Sequence, residues 1–119
     1  MSDGWAEFHI LVAENGGYNR TFTLKSSTAA IDITGYTFHM EVRTTPKTSG
    51  TLKLTHTPTI ASATAGQMQV NILHSDAELT AMAVGTYYYD IFWTPSGGTR
   101  EKIMGGNFTV ANSVTNNFA

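Results

Sequence analysis

The four histidines are the side chains of this sequence best suited to metal binding. They are His9, His39, His56 and His74. None has a second histidine or a carboxylate at a recognised ligand spacing. Each also falls where a strand residue that is half-buried or faces solvent is expected. We therefore predict four ordinary histidines, no metal site and no cofactor.

Asp90 is the most unusual ionisable residue because it lies within a dense run of aromatic and β-branched side chains. A carboxylate in such a run needs hydrogen-bond donors or a cation. The candidate partners are Arg43 and Arg100. No second carboxylate or nucleophile converges on Asp90 in the sequence, so we predict a structural ion pair and no catalytic acid.

Motifs of nucleophilic or phosphate chemistry are missing from the sequence. There is no Gly-x-Ser-x-Gly elbow and no glycine-rich loop that leads into a helix with a lysine. We predict that the protein is not an enzyme. Aromatic side chains at Trp5, Tyr18, Tyr36 and Tyr88 are compatible with a carbohydrate or protein platform. Core packing or subunit contact is the interpretation we prefer for them.

Composition excludes several classes of protein. The 119 residues contain no cysteine, so disulfides and thiolate metal ligands are excluded. A formal charge of -2 provides no basic field for nucleic acid or an anionic membrane. The length predicts one domain, 1–119, with a short N-terminal segment at 1–6 and a tail at 111–119. No signal peptide is recognisable at the N-terminus, which predicts synthesis in the cytoplasm.

The stretch Gly85 to Trp93 organises the predicted fold. Its aromatic and β-branched residues, bounded by glycine and by Pro95, predict a strand. Both faces of this strand are largely apolar, and an exposed aromatic edge promotes aggregation. We therefore place the strand in the centre of a sheet.

A period of two recurs in most other segments. The clearest case is Tyr36 to Thr44, with Phe38, Met40 and Val42 predicted inward and His39, Glu41 and Arg43 outward. The other predicted strands span 7–12, 19–25, 51–57, 59–63, 67–73, 99–104 and 107–110, with a satellite strand at Ile31 and Ile33. Leu52 and Leu54 are predicted inward. A bulge is predicted at Gly105 and Gly106.

One segment, Ser75 to Ala83, breaks this rhythm and predicts a short helix. Ser75 followed three residues later by Glu78 matches a capping box, and Leu79 and Met82 fall on one face. The whole pattern predicts an all-β fold: an antiparallel immunoglobulin-like β-sandwich of about seven to eight strands with one short helix. A small closed barrel is the alternative.

Six short stretches, taken in order, resemble the small β-sandwich modules of tailed bacteriophages. The module concerned is similar to the N-terminal domain of phage baseplate upper proteins. These stretches are 31–43, 50–52, 66–68, 75–80, 85–91 and 106–110. The resemblance covers roughly residues 18–115. Such modules often begin a longer protein, whereas this sequence ends after one domain.

The resemblance implies a virion structural protein, in the tail or baseplate or attaching a fibre, that acts by protein–protein assembly. Its implied partners are other virion proteins and further copies of the chain in a symmetric homo-oligomer, without nucleic acid or membrane. Its implied location is the virion, in the tail rather than the head. Alternatives are a capsid decoration protein and a carbohydrate-binding module. The candidate interface residues are Trp5, Tyr36, His39, Glu41, Arg43, Tyr88, Val114 and Phe118.

Overall fold

The computed structural model describes residues 5–114, which form two packed β-sheets and a short ribbon. The strands are β1 (Ala6–Glu7), β2 (Ile10–Ala13), β3 (Tyr18–Thr23), β4 (Lys25–Ser26), β5 (Ala29–Ala30), β6 (Thr37–Arg43), β7 (Leu52–His56), β8 (Thr59–Ser62), β9 (Gln67–Ile72), β10 (Gly85–Thr94) and β11 (Glu101–Ala111). Helix α1 (Ala77–Thr80) precedes β10. In this part of the chain no helix is long and apolar enough to cross a membrane.

The main sheet has the strand order β1-β11-β10-β6-β7, with β2 also paired to β11. The predicted central position of the aromatic strand is confirmed, since β10 pairs antiparallel with β6 on one side and with β11 on the other. Burial alternates along β10: Tyr87, Tyr89, Ile91 and Trp93 are buried, whereas the residues between them are half-buried. The strand thus presents one face to the core and the other to the outside.

The second sheet, β3-β9-β8, covers the inner face of the main sheet. Met68, Val70 and Ile72 of β9 are buried and share one core with Phe38, Met40 and Val42 of β6, as their alternation predicts. This architecture confirms the predicted all-β sandwich of immunoglobulin-like class with one short helix. The single-domain boundary at 1–119 stays a prediction.

The N-terminal segment departs from the antiparallel prediction. The predicted strand 7–12 is divided into β1 and β2, and both pair parallel with β11. β1 and β2 keep the same register along β11 and are interrupted at Phe8 and His9. The Phe8 carbonyl accepts a hydrogen bond of 2.6 Å from the Tyr89 hydroxyl. His9 Nδ1 accepts from the Asn107 backbone N–H at 3.0 Å. These two bonds join the interruption at Phe8 and His9 to β10 and β11, and the periodicity of the sequence does not predict them.

The predicted bulge lies at a different residue. β11 is continuous through Gly105 and Gly106, and the register shifts where Ile91 pairs with Met104 and Phe92 pairs with Lys102. Ile103 is therefore the extra residue, and both Ile103 and Met104 are buried. An apolar pair on consecutive positions is what a bulge permits, because it turns two neighbouring side chains to the same side.

Leu52 is not inward as predicted. The register between β6 and β7 shifts between Val42 and Arg43, so Leu54 pairs with Val42 but Leu52 pairs with Arg43. Leu54 is fully buried, whereas Leu52 is 43% exposed. The predicted satellite strand is also absent, since Ile31 and Ile33 lie in a loop, although Ile33 is fully buried.

The short helix forms where it was predicted, but its cap is one residue later. The Asp76 side chain accepts hydrogen bonds from the backbone N–H groups of Glu78 and Leu79, so Asp76 is the N-cap and the Ser75–Glu78 capping box is wrong. Glu78 instead accepts from the Thr55 backbone N–H and links the helix to β7. Leu79 and Met82 are buried, as predicted.

Replacing the cap residue tests this assignment. Asp76→Ala should lower the free energy of unfolding by about 1 kcal/mol, the usual cost of losing an N-cap side chain. Ser75→Ala is the matched control and should lower the free energy of unfolding by only a few tenths of a kcal/mol, as surface substitutions do. Urea denaturation of both variants measures the two losses. A larger loss of stability for Ser75→Ala than for Asp76→Ala would instead support the capping box of Ser75 and Glu78.

Candidate functional site

The outer face of the main sheet, turned away from the second sheet, carries most of the predicted site residues. Side chains of three neighbouring strands alternate onto this face: Thr37, His39, Glu41 and Arg43 from β6; Tyr88, Asp90 and Phe92 from β10; Lys102 and Asn107 from β11. Residue pairs directly opposite in the register are Arg43 with Tyr88, Glu41 with Asp90 and His39 with Phe92. The centre of the face therefore holds two adjacent carboxylates between aromatic and basic side chains.

A concavity of about 880 Å³ lies over this face. Its floor is the outer face itself. Its rim includes Trp5, Arg100 and the loop from Thr45 to Thr48. We call this feature the outer concavity. Its volume is within the range of sites that hold small ligands or a few side chains of a partner.

Three side chains of β6 form a connected row on the floor. His39 Nε2 and Glu41 Oε2 are 2.9 Å apart, and Arg43 Nη2 donates to Glu41 Oε1 at 2.8 Å. Arg43 also donates to the Gly50 carbonyl at 2.9 Å. The hydrogen bond with His39, followed by that with Arg43, lowers the pKa of Glu41. Glu41 is thus ionised at neutral pH and already supplied with partners.

Asp90 lies opposite Glu41 but has no such partners. It forms no hydrogen bond or ion pair with the residues from 5 to 114. The predicted ion pair is therefore not formed: Arg43 is bound to Glu41, and Arg100 lies exposed at the rim. Burial raises the pKa of Asp90, and the Lys102 charge opposes that rise. A half-buried carboxylate without a hydrogen bond or an ion pair is left at the floor, and the nearby charges offset its burial only in part.

This arrangement predicts that Asp90 costs stability at neutral pH. Since its pKa in the folded state is raised above the ordinary 3.8, its penalty is absent below pH 3.8 and develops as the pH rises through the folded-state value. Asp90→Asn should therefore stabilise the fold at pH 7, by about 0.5 kcal/mol after solvent screening. At pH 3 the two proteins should be equally stable. Urea denaturation at both pH values tests this, and a pH-independent difference would contradict it.

Trp5 and Lys102 close one side of the outer concavity. The Lys102 ammonium lies 3.7 Å from the centroid of the Trp5 ring, a cation–π contact. A Cβ at Gly105, which is opposite Asp90 in the register, would lie 3.0 Å from Lys102 Cε. The glycine therefore leaves the space that the Lys102 side chain occupies beside Asp90.

The structure groups most of the predicted interface residues but not all. Trp5, His39, Glu41, Arg43 and Tyr88 line the outer concavity. Tyr36 does not line the outer concavity, because its ring is half-buried on the core side. There it packs edge-on against Trp93, with the two ring centroids 5.2 Å apart. Val114 is fully exposed, and Phe118 lies outside the described residues. Whether any of these residues forms an interface stays a prediction.

Phe92, Lys102 and Asn107 line the outer concavity and were missed as site residues. For Phe92 a signal was available, because it shares the period-two alternation of Tyr88 and Asp90. For Lys102 no such signal was available, because the bulge at Ile103 changes the face of the sheet on which the Lys102 side chain lies.

The histidines do not converge. His39 lies in the outer concavity, and His9 lies 3.8 Å from Glu7 at the edge of the main sheet. His56 accepts from the Asn71 backbone N–H at 3.4 Å, and burial lowers its pKa. Between residues 5 and 114, no group of three or more His, Cys, Asp or Glu side chains could hold a metal ion. We therefore derive no metal chemistry from this arrangement.

Comparison with known proteins identifies the fold. No protein-family model and no curated protein matches the chain. Among solved structures, CopC from Methylosinus trichosporium OB3b is similar with a TM-score of 0.51 and 12% identity, covering 94% of this chain and 90% of CopC. The PmoD soluble domain from a Methylocystis species has a TM-score of 0.48 and 13% identity, and the match covers 85% of this chain and 77% of the PmoD chain. The PKD domain from human KIAA0319 has a TM-score of 0.40 and 11% identity, and the match covers 99% of this chain and 93% of the PKD chain.

These similarities correct the interpretation drawn from sequence motifs. CopC is the similar structure on which the correction rests, and it is not a phage baseplate module, so the phage family assignment is wrong. The tail or baseplate role, the capsid-decoration alternative and the virion location are wrong with it, and the carbohydrate-binding alternative finds no support among these neighbours. At 12% identity the likeness to CopC shows the fold alone.

Proposed function

We propose that this chain is a non-catalytic recognition domain that binds a polypeptide segment in the outer concavity. The observation that carries the proposal is Asp90, a half-buried carboxylate without a partner among the described residues, at the floor of a concavity of about 880 Å³. Such a group costs stability unless a ligand compensates it. Proteins retain costs of this kind at functional sites.

The composition of the outer concavity favours binding over catalysis. Tyr88 and Phe92 present aromatic surface, and Glu41 and Arg43 present charges that are already positioned by hydrogen bonds. Rigid aromatic side chains beside oriented polar groups are typical of recognition surfaces. His39, the histidine of this site, bonds to Glu41 and so is held as part of the charged row.

A peptide-binding screen tests the proposal. The full-length chain, labelled with ¹⁵N, is titrated with pools of short basic, acidic and uncharged peptides, and the backbone amide shifts are followed. At least one pool should shift the amides of β6 and β10, and mass spectrometry should show that its peptides remain intact. No shift with any pool, or shifts confined to the second sheet, would contradict binding at this site. Cleaved or modified peptides would contradict the non-catalytic assignment.

Two matched variants locate the binding surface. Tyr88→Ala removes an aromatic side chain from the outer concavity and should weaken the selected peptide about tenfold, as truncation of an aromatic anchor does. Ile60→Ala removes an exposed apolar side chain from β8 on the second sheet, where Ile60 is 37% exposed, and should leave affinity unchanged. Equal losses of affinity for the two variants would place binding elsewhere.

Self-association stays a separate prediction, which light scattering of the full-length chain tests.

A further inference from the structure

We propose that the outer concavity binds the primary ammonium group of a partner's lysine side chain, with Asp90 as the acceptor and Tyr88 and Phe92 on either side of it. This inference rests on the proposed function and specifies its ligand. It assigns a chemical class to the partner, a segment with an accessible lysine. Four features of the floor and rim of the outer concavity support it.

The first feature is the difference between the two carboxylates at the floor. Glu41 accepts from Arg43 and is bonded to His39, whereas Asp90 has no hydrogen-bonding or ionic partner between residues 5 and 114. Asp90 and Glu41 are directly opposite in the register, but the Glu41 charge is already balanced by Arg43. A ligand cation placed there would therefore find its ionic partner in Asp90.

The second feature is the aromatic side chains beside Asp90. Tyr88 and Phe92 are two residues before and after Asp90 on β10, and therefore share its face. Aromatic faces attract ammonium groups through the ring quadrupole. A carboxylate between two aromatic side chains thus offers an ammonium both an ionic partner and an apolar channel for its methylene chain.

The third feature is the chain's own lysine. Lys102 holds its ammonium 3.7 Å from the centroid of the Trp5 ring in the same concavity, and its charge lowers the pKa of Asp90. An ammonium therefore already rests on an aromatic ring at this surface. Lys102 acts as an internal cation that a partner's lysine would compete with.

The fourth feature disfavours an anionic ligand. Arg43 donates to Glu41 and to the Gly50 carbonyl, and Lys102 rests on Trp5, so the two cations nearest the floor are engaged. Arg100 and Lys47 belong to the rim and are exposed. The charge left without a partner at the floor is the negative charge of Asp90.

Three pentapeptides test the inference on the full-length chain: acetyl-Gly-Gly-Lys-Gly-Gly-amide, the same peptide with the lysine acetylated, and the same peptide with glutamate at the centre. Amide shifts of the ¹⁵N-labelled protein report both affinity and location. We expect the lysine peptide to shift Glu41, Tyr88 and Asp90, and to bind roughly fivefold more tightly than its acetylated form, as expected for a partly screened ion pair. Equal affinity of these two peptides would overturn the inference.

Two variants with their control make the test specific. Asp90→Asn should weaken the lysine peptide about fivefold, while Asp32→Asn, an equal change of net charge at an exposed loop residue, should not. Lys102→Met keeps most of the side-chain volume but removes the internal cation, and should tighten the lysine peptide about threefold. Weaker binding by Lys102→Met, or an unchanged affinity of Asp90→Asn, would overturn the inference.

The glutamate peptide separates this inference from the proposed function. Preferential binding of the glutamate peptide at the outer concavity would overturn lysine recognition while the site itself remains a recognition surface. Absence of binding by all three pentapeptides overturns the lysine inference, and the broader peptide pools then decide the proposed function independently.

Discussion

Gly106→Ala should destabilise the fold by about 3 kcal/mol, because the new methyl group would occupy the place of the Phe8 carbonyl. A Cβ at Gly106 would overlap that carbonyl oxygen and lie 3.0 Å from His9 Nδ1. Both contacts belong to the interruption between β1 and β2 at Phe8 and His9. Displacing this backbone costs about 1–3 kcal/mol, and it also removes the acceptor of the Tyr89 hydroxyl.

Gly85→Ala is the matched control for this effect. Gly85 has a φ of +157° and Gly106 a φ of +158°, so an alanine meets the same backbone strain at both positions. A Cβ at Gly85 would have no heavy atom within 4 Å. We therefore expect a loss of about 1 kcal/mol for Gly85→Ala, from the backbone alone. Urea denaturation of both variants measures the difference, and equal losses would show that the interruption at Phe8 and His9 does not require a glycine at position 106.

Phe108→Ala is expected to have the largest effect of the substitutions considered, about 3–5 kcal/mol. Phe108 is fully buried and lies opposite Tyr87 on β10 and Ile10 on β2. Its loss would leave a cavity where three strands meet, and closely packed strands relax into such a cavity only in part. A loss of this size is a large part of the stability of a typical domain, 5–15 kcal/mol.

Phe92→Ala is the control for the deletion of Phe108. It removes the same type of side chain from β10, the neighbour of β11 in the main sheet. Phe92, however, lies on the half-buried outer face. We expect a loss of about 1 kcal/mol, and calorimetry should show a fall in Tm at least three times smaller than that of Phe108→Ala. Similar falls for the two variants would mean that the outer face is covered as completely as the core.

Asp90 connects stability with the proposed function. Its burial and its position opposite Glu41 destabilise the ionised carboxylate, and the charges of Lys102, Arg43 and His39 offset this only in part. Asp90→Asn is therefore expected to improve folding at pH 7 and to weaken the binding of a lysine peptide. Opposite changes in the two properties would distinguish a binding residue from a structural one.

The resemblance to phage modules failed for an identifiable physical reason. The motifs that carried it, such as Gly85 to Ile91 and Tyr36 to Arg43, are alternating strands bounded by turn residues. Any half-buried β-sandwich strand requires this alternation, because side chains of a strand point to opposite faces in turn. Short strand motifs therefore indicate the fold and do not discriminate between the many proteins that share it.

Local sequence by itself determined where most of the strands form and which face of most strands is buried. Phe38, Met40 and Val42 of β6, and Tyr87, Tyr89 and Ile91 of β10, are buried as their alternation predicts. Those predictions succeed because hydrophobic burial acts on a period-two backbone and needs no knowledge of partner strands. The short helix could also be predicted from local sequence, because Leu79 and Met82 are three residues apart and so share one face of a helix.

Only the tertiary structure decided the features that make the candidate site. The bulge at Ile103 sets the face of Lys102, the interruption of the parallel strand at Phe8 requires Gly106, and Arg43 binds Glu41 instead of Asp90. Each depends on which strands become neighbours and in which register, and those pairings join residues far apart in the chain. Asp90 lacks a direct hydrogen-bonding or ionic partner because of the same pairings, since the register places Glu41 on one side of it and Gly105 on the other.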